Sequence, residues 1–104
     1  MKQFDIYIIS LNPTKGSEIN KTRPSVIVSP NVLNKHLNTV IIAPLTTTIK
    51  NYPSRVLSNL VGQPGEIALD QIRAVDKERL KKKIGSVDRK TAENIKKVLH
   101  TMFS

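Results

Sequence analysis

The chain is 104 residues long, enough for one modest hydrophobic core and too short for two. Its 38% hydrophobic and 24% charged content is ordinary for a globular chain, and the absence of cysteine excludes disulfide frameworks, thiolate metal sites and a cysteine nucleophile. Seventeen Lys and Arg against eight Asp and Glu leave a net charge of +9. Such an excess has its commonest use in holding a polyanion: RNA, DNA, an anionic membrane or an acidic protein.

The first run, "FDIYIISL" (4–11), predicts a strand with Phe4, Ile6 and Ile8 on one face and Tyr7, Ile9 and Leu11 on the other. Asp5 enters too early for a secretory signal's apolar core, and no run approaches the roughly 18 apolar residues a membrane helix needs. A soluble, cytoplasmic chain forming a single domain over 1–104 is expected. The segment "PTKGSEINKTRP" (13–24) follows, a charged loop far longer than a hairpin requires, and long ordered loops tend to be functional. "SVIVS" (25–29) and "TVIIAPL" (39–45) are β-branched strands, and "PNVLNKHLN" (30–38) between them has room for one or two helical turns. "SRVLS" (54–58) and "GEIALDQIRAV" (65–75) continue the β pattern, the latter slipping phase at Asp70–Gln71 as at a bulge or bend. "KKKIGSV" (81–87) reads as a last strand bent at Gly85. After Asp88, a good N-cap, "RKTAENIKKVLHTMF" aligns Ala92, Ile95, Val98, Leu99, Met102 and Phe103 on one helical stripe. The pattern predicts a mainly β fold with α: a small barrel of five or six short antiparallel strands closed by a C-terminal amphipathic helix.

Familiar catalytic sets are missing. His36 and His100 stand far apart without metal-ligand spacing, and neither a phosphate-binding loop nor a nucleophile elbow is present. Asp70, Asp76 and Glu78 are most simply explained by ion pairs with Arg73, Lys77 and Arg79. What remains is arginine, threonine, serine and glutamate near strand ends: Arg23 before Pro24, and Thr46–Thr47 after "IIAPL".

Several stretches in register carry a resemblance that covers nearly the whole chain. "LNPTKGSEINKTRPSVIVSP", "TVIIAPLTT", "YPSRV", "ALDQIRAVDKERL" and "KKIG" follow the order and spacing of the MazF/PemK toxin family, the endoribonuclease halves of bacterial toxin–antitoxin pairs. The resemblance implies an SH3-like barrel with a C-terminal helix, assembled as a homodimer, that cleaves single-stranded RNA without metal or other cofactor. It implies catalytic roles for Arg23 and Thr46. It also implies RNA contacts from the loop holding Gly16, Ser17 and Glu18, from Thr47, and from the Asp70–Gln71–Ile72–Arg73 segment through Gln71 and Arg73. A cognate acidic antitoxin, MazE-like, is implied as the partner that restrains it. Two departures stand out. Phe4 occupies the place where members commonly carry glycine before the aspartate, and Ala68 stands where the PemK branch carries an arginine, so the MazF branch's catalytic set is the one carried over.

Those residue types suit RNA cleavage. The 2′-hydroxyl is a nucleophile beside the scissile phosphate, so attack needs proton removal, charge stabilisation and protonation of the leaving 5′-oxygen. A guanidinium matches phosphate oxygens with a planar fork, and a threonine hydroxyl can donate to one of them. Lys15 and Lys21 would attract phosphate, although simple solvation explains them as well, and Ser17 and Glu18 could meet base edges. Two other readings stay open: a basic barrel that holds RNA or a ribosomal surface without cutting, and a barrel that binds an acidic or proline-rich peptide. Aromatic content of only 4% argues against the second, whose grooves are usually aromatic-lined.

Overall fold

A computed structural model describes residues 1–10, 22–59 and 62–104. Their elements are β1 (Asp5–Ser10), β2 (Thr22–Ile27), α1 (Asn31–His36), β3 (Thr39–Thr46), β4 (Arg55–Ser58), β5 (Gly65–Ala68), β6 (Arg73–Asp76), β7 (Leu80–Ser86) and α2 (Arg89–Phe103). The strands form one antiparallel seven-stranded sheet in the order β4-β5-β3-β2-β1-β7, with β6 also on β3. Mainly β with a C-terminal helix is the observed class. Closure differs from a complete barrel: among the described residues β4 and β7 do not pair with each other, and α2 packs against β4 and the turn that follows β5.

β3 is the spine. One edge pairs with β2; the other is shared between β6, opposite Thr39–Ile42, and β5, opposite Leu45 and Thr46. The run 65–76 supplies both partners because its phase slip is a 3-10 turn at Leu69–Gln71, a fuller interruption than a bulge. The bend expected near Gly85 is a register shift between β1 and β7, where Ile6 faces Gly85 and Tyr7 faces Lys83.

Period-two alternation gives the sheet two apolar faces. On one, Ile6, Val26, Ala43, Leu45, Val56 and Ile67 meet Ile95 of α2. On the other, Ile9, Ile27, Val40, Ile42 and Val75 form a second buried cluster. The helix is capped as expected, Asp88 Oδ1 accepting the Thr91 N–H at 2.8 Å. Its apolar stripe is covered only as far as Leu99; Met102 and Phe103 are exposed.

The strand start at β1 is unusual. Phe4 has φ +72°, a left-handed conformation that a bulky side chain rarely adopts. It is held from three sides: Phe4 N–H donates to Ile27 O at 2.6 Å, Val87 N–H donates to Phe4 O at 3.0 Å, and Lys96 lies 5.6 Å from the ring centroid.

Candidate active site

The β2–β3 register pairs Ser25 with Pro44, Val26 with Ala43 and Ile27 with Ile42. The pairing ends there, and Arg23 and Thr46 lie just beyond it at the same end of the two strands. On its far side Thr46 pairs with Glu66 of β5, and Glu66 with Leu57 of β4. Residues directly opposite share a face, so Thr46 and Glu66 form a cross-strand pair at the end of the sheet, and alternation along β2 and β3 puts Arg23 on that same face. Pro24 and Pro44 keep the ladder short here, since neither can donate to it.

At that end of the sheet lies an open cavity of about 400 Å³. Thr22, Arg23 and Pro24 line one wall, and Leu45 with Thr46, Thr47 and Thr48 forms another. Ser58, Gln63, Pro64 and Gly65 complete it. Gly65 is required by close approach: a Cβ there would sit 2.5 Å from the Thr46 carbonyl oxygen. Thr46 is half-buried, and its Oγ1 accepts the Thr48 N–H at 3.1 Å. That bond occupies a lone pair and leaves the hydroxyl proton to be donated into the cavity.

Of the residues singled out in the sequence, Arg23, Thr46 and Thr47 therefore meet at one cavity. Gln71 and Arg73 are not among its lining residues. Arg73 faces Ile42 across the β3–β6 pair, four residues from Thr46 and so about 13 Å along the strand. The spacing is even, so Arg73 shares the face that carries Arg23 and Thr46. Gln71 is exposed in the 3-10 turn. Lys15, Ser17, Glu18 and Lys21 lie outside the described residues.

The expected acid–base pairing needs correction. Asp70 pairs with Arg55, Nε to Oδ1 at 2.6 Å and Nη2 to Oδ2 at 3.3 Å, and not with Arg73. Asp76 accepts the Glu78 N–H at 2.9 Å, capping the next 3-10 turn. Among the described residues Glu78 has no ion pair with Lys77 or Arg79. Nearest-neighbour spacing misled because Asp70 sits in a turn that faces β4, whereas Arg73 already lies on β6. The Arg55 guanidinium, against the effect of burial, holds Asp70 below the usual carboxylate range.

Glu66 escaped sequence reasoning altogether. As a lone polar residue beside Ile67 in an alternating strand it reads as solvent-facing, yet it is only 1% exposed. Its carboxylate accepts N–H bonds from Lys50 and Asn51, each at 3.0 Å, and one from Arg55 Nη1 at 3.2 Å. The Lys50 amide first, then the Asn51 amide and Arg55, outweigh burial and hold it below its ordinary pKa. No signal in the sequence marked it, because the donors that hold it come from a loop whose path spacing along the chain does not give. Among the described residues no three His, Asp or Glu side chains gather as a metal site, and no helix is long and apolar enough to cross a membrane.

The comparisons with known proteins converge on one family. Residues 2–103 match the family described as PemK-like, MazF-like toxin of type II toxin-antitoxin system. The Endoribonuclease MazF of Staphylococcus saprophyticus is 33% identical, with 100% of this chain and 97% of that protein covered. A solved endoribonuclease in complex with its cognate antitoxin from a mycobacterial species is 27% identical, with TM-score 0.81 over 97% of this chain and 92% of that one. The MazE–MazF structure (Form-II) from Deinococcus radiodurans, at 21% identity, shares the fold with TM-score 0.82, covering 98% of this chain and 94% of that one. A match that spans almost every residue, with a curated relative at one-third identity over the full length, means that this chain belongs to the PemK/MazF toxin family of type II toxin–antitoxin systems.

Proposed function

We infer that this protein is a toxin endoribonuclease that cleaves single-stranded RNA at the Arg23–Thr46 cavity, by attack of the substrate's own 2′-hydroxyl. The observation that carries this reading is the convergence of Arg23 and Thr46, from different strands, on one cavity in a chain of this family. The binding-only alternative explains the charge equally well but gives no reason for that pairing.

In the proposed reaction the 2′-oxygen attacks phosphorus as its proton leaves, and the bond to the 5′-oxygen breaks as that oxygen is protonated. The products are a 2′,3′-cyclic phosphate and a free 5′-hydroxyl. Arg23 supplies a fixed positive charge for the non-bridging oxygens, where negative charge builds in the pentacovalent transition state. Thr46 donates its hydroxyl proton to a phosphate oxygen, the direction its bond with the Thr48 N–H favours. Thr47 borders the same space. Arg73, on the same face and about 13 Å away, would meet a phosphate farther along the strand. Metal is not required, because the attack is intramolecular and the charge is met by side chains.

The partners follow from the same reading: single-stranded mRNA in the cytoplasm as substrate, a second copy in a homodimer, and an acidic antitoxin as inhibitor. The mycobacterial relative's complex with its cognate antitoxin supports the last. A flexible acidic segment that orders on this surface would compete with RNA for a chain of charge +9.

The test incubates the purified protein with a long RNA in a strong chelator and maps the ends. Cyclic phosphate and 5′-hydroxyl ends are expected, and replacing the 2′-hydroxyl next to the cut by hydrogen should abolish cleavage. Dependence on added magnesium, or cutting of the deoxy substrate, would overturn the mechanism. RNA binding without cutting would favour the alternative.

A further inference from the structure

Leu45, Val56 and Ile67 point into the core under α2. Alternation turns their neighbours Thr46, Leu57 and Glu66 to the opposite face, where Leu57 is exposed as expected and Glu66 is not. Glu66 is buried by the chain itself: the segment leaving Thr46 turns back over β5 before re-entering the sheet as β4. Both carboxylate oxygens are engaged in holding it, Oε1 by the Lys50 N–H and Arg55 and Oε2 by the Asn51 N–H. Asn51, which donates the second of these two successive amides, takes the left-handed conformation, φ +57°, so the chain turns immediately after the pair of bonds. Arg55 is fixed in turn by Asp70 and lies 5.1 Å from the Tyr52 ring centroid.

Only Thr47, Thr48 and Ile49 separate Thr46 from the anchored amide of Lys50. The Thr46 hydroxyl is itself part of that short turn, through the Thr48 N–H. We propose that Glu66 is a positioning residue for RNA cleavage, clamping the threonine turn so that the Thr46 hydroxyl stays aimed as a donor into the cavity. This rests on the reading above, in which Thr46 donates to the phosphate. A carboxylate is the group suited to the task. It accepts from three donors at once, whereas an apolar residue there would leave two part-buried amide bonds and one from the Arg55 guanidinium unmade. Asp70 keeps Arg55 in place if Glu66 is altered, so loss of the clamp need not undo the fold.

The experiment compares the full-length wild-type chain with Glu66→Gln, Thr46→Ala and the double variant. Glutamine keeps the shape but presents an NH2 group where one amide donor needs an acceptor. For Glu66→Gln we expect kcat to fall roughly 10-fold with KM changed less than about twofold, the signature of a misplaced group and not of weaker binding. Exchange of the Lys50 and Asn51 amides should quicken by about 10-fold while the β1–β2 amides keep wild-type protection. In the Thr46→Ala background the same substitution should change kcat by less than about twofold, because its effect passes through Thr46. Wild-type kcat in Glu66→Gln, an undiminished loss in the Thr46→Ala background, or equal loss of protection throughout the sheet would each overturn the proposal. If Thr46→Ala cut RNA at the wild-type rate, the reading of the site would fail instead, and the amide exchange would still decide whether Glu66 holds the turn.

Discussion

Two buried carboxylates hold two left-handed residues in this molecule, at opposite ends of the sheet. Asp5 opens β1. Its Oδ2 accepts the Lys2 N–H at 2.8 Å, closing the turn in which Phe4 has φ +72°, while its Oδ1 takes the Ser86 hydroxyl at 2.9 Å and lies 3.4 Å from Lys83 Nζ. Glu66 closes the turn in which Asn51 has φ +57°, with Arg55 as its cation. The device is the same, but the load differs. Asp5 ties the start of β1 to the end of β7, and none of the residues proposed to act on RNA lies in its turn. Glu66 ties down a segment that begins at Thr46. A carboxylate over a strained turn therefore serves closure at one end of the sheet and aim at the other, and substitutions should separate the two.

The largest effect is expected at the aimed group itself. Arg23→Ala and Thr46→Ala should each lower the rate of RNA cleavage by roughly 10²-fold or more, the loss seen when a preorganised transition-state donor is removed. Thermal unfolding should hardly move, since Arg23 is exposed and Thr46 only half-buried. A folded variant of either that cut at the wild-type rate would remove that residue from the mechanism.

Next comes the contact that seats β5 beneath the threonine turn. Gly65→Ala forces a methyl group to within 2.5 Å of the Thr46 carbonyl oxygen, backbone that cannot swing aside as a side chain would. A destabilisation of about 1–3 kcal/mol is expected from overpacking, together with lost activity, because Thr46 must shift to make room. Urea titration and a cleavage assay on the same preparation check both. Full activity in a stable Gly65→Ala protein would mean that the close approach is not needed.

At the closing end the expectation reverses. Asp5→Ala leaves the Lys2 N–H and the Ser86 hydroxyl without their acceptor and should cost about 1–3 kcal/mol, with kcat unchanged in the folded protein. Acid sharpens the contrast. Burial pushes Asp5 upward, but the Lys2 amide, Ser86 and Lys83 outweigh it, and the net displacement is downward, as it is for Glu66. A carboxyl whose folded pKa is depressed stabilises fully above its unfolded value and loses that contribution as pH falls through the folded value. Stability should therefore be level above about pH 5 on this account and decline below about pH 4, with a shallower decline in Asp5→Ala and Glu66→Gln. An equally steep acid limb in both variants would show that other carboxyls govern it.

Legibility in the sequence followed the range of the forces involved. Alternation and capping are local, so the strands, the helix after Asp88 and the break in the 65–75 run could all be read from the residues. The resemblance singled out Arg23 and Thr46, which the structure brings to one cavity, because strand-end motifs in fixed order preserve register. What could not be read is set by the path of a loop. Glu66 is buried only because residues 47–54 return over it, and Arg55 takes Asp70 only because a 3-10 turn faces β4. Neither follows from spacing along the chain.

The smallest expected effect tests whether the left-handed turn at Phe4 is a strain that its surroundings offset. A non-glycine residue in this region costs about 1–2 kcal/mol, and glycine removes that cost. Glycine also removes a ring that packs against the core and lies under Lys96, contacts worth about 2 kcal/mol together for a half-buried aromatic. The two nearly cancel, so Phe4→Gly should change stability by only about 1 kcal/mol. Alanine gives up the same contacts but keeps a Cβ in the left-handed conformation. Phe4→Ala should therefore be the less stable variant, by about 1 kcal/mol, which inverts the usual order in which glycine is the more damaging replacement. Paired urea titrations decide the order, and both proteins should cleave RNA at the wild-type rate, since Phe4 belongs to the end of the sheet that closes and not to the end that aims. Equal stability, or a more stable alanine variant, would mean that the turn opens up once the ring is gone, and that Asp5 does not hold its left-handed geometry unaided.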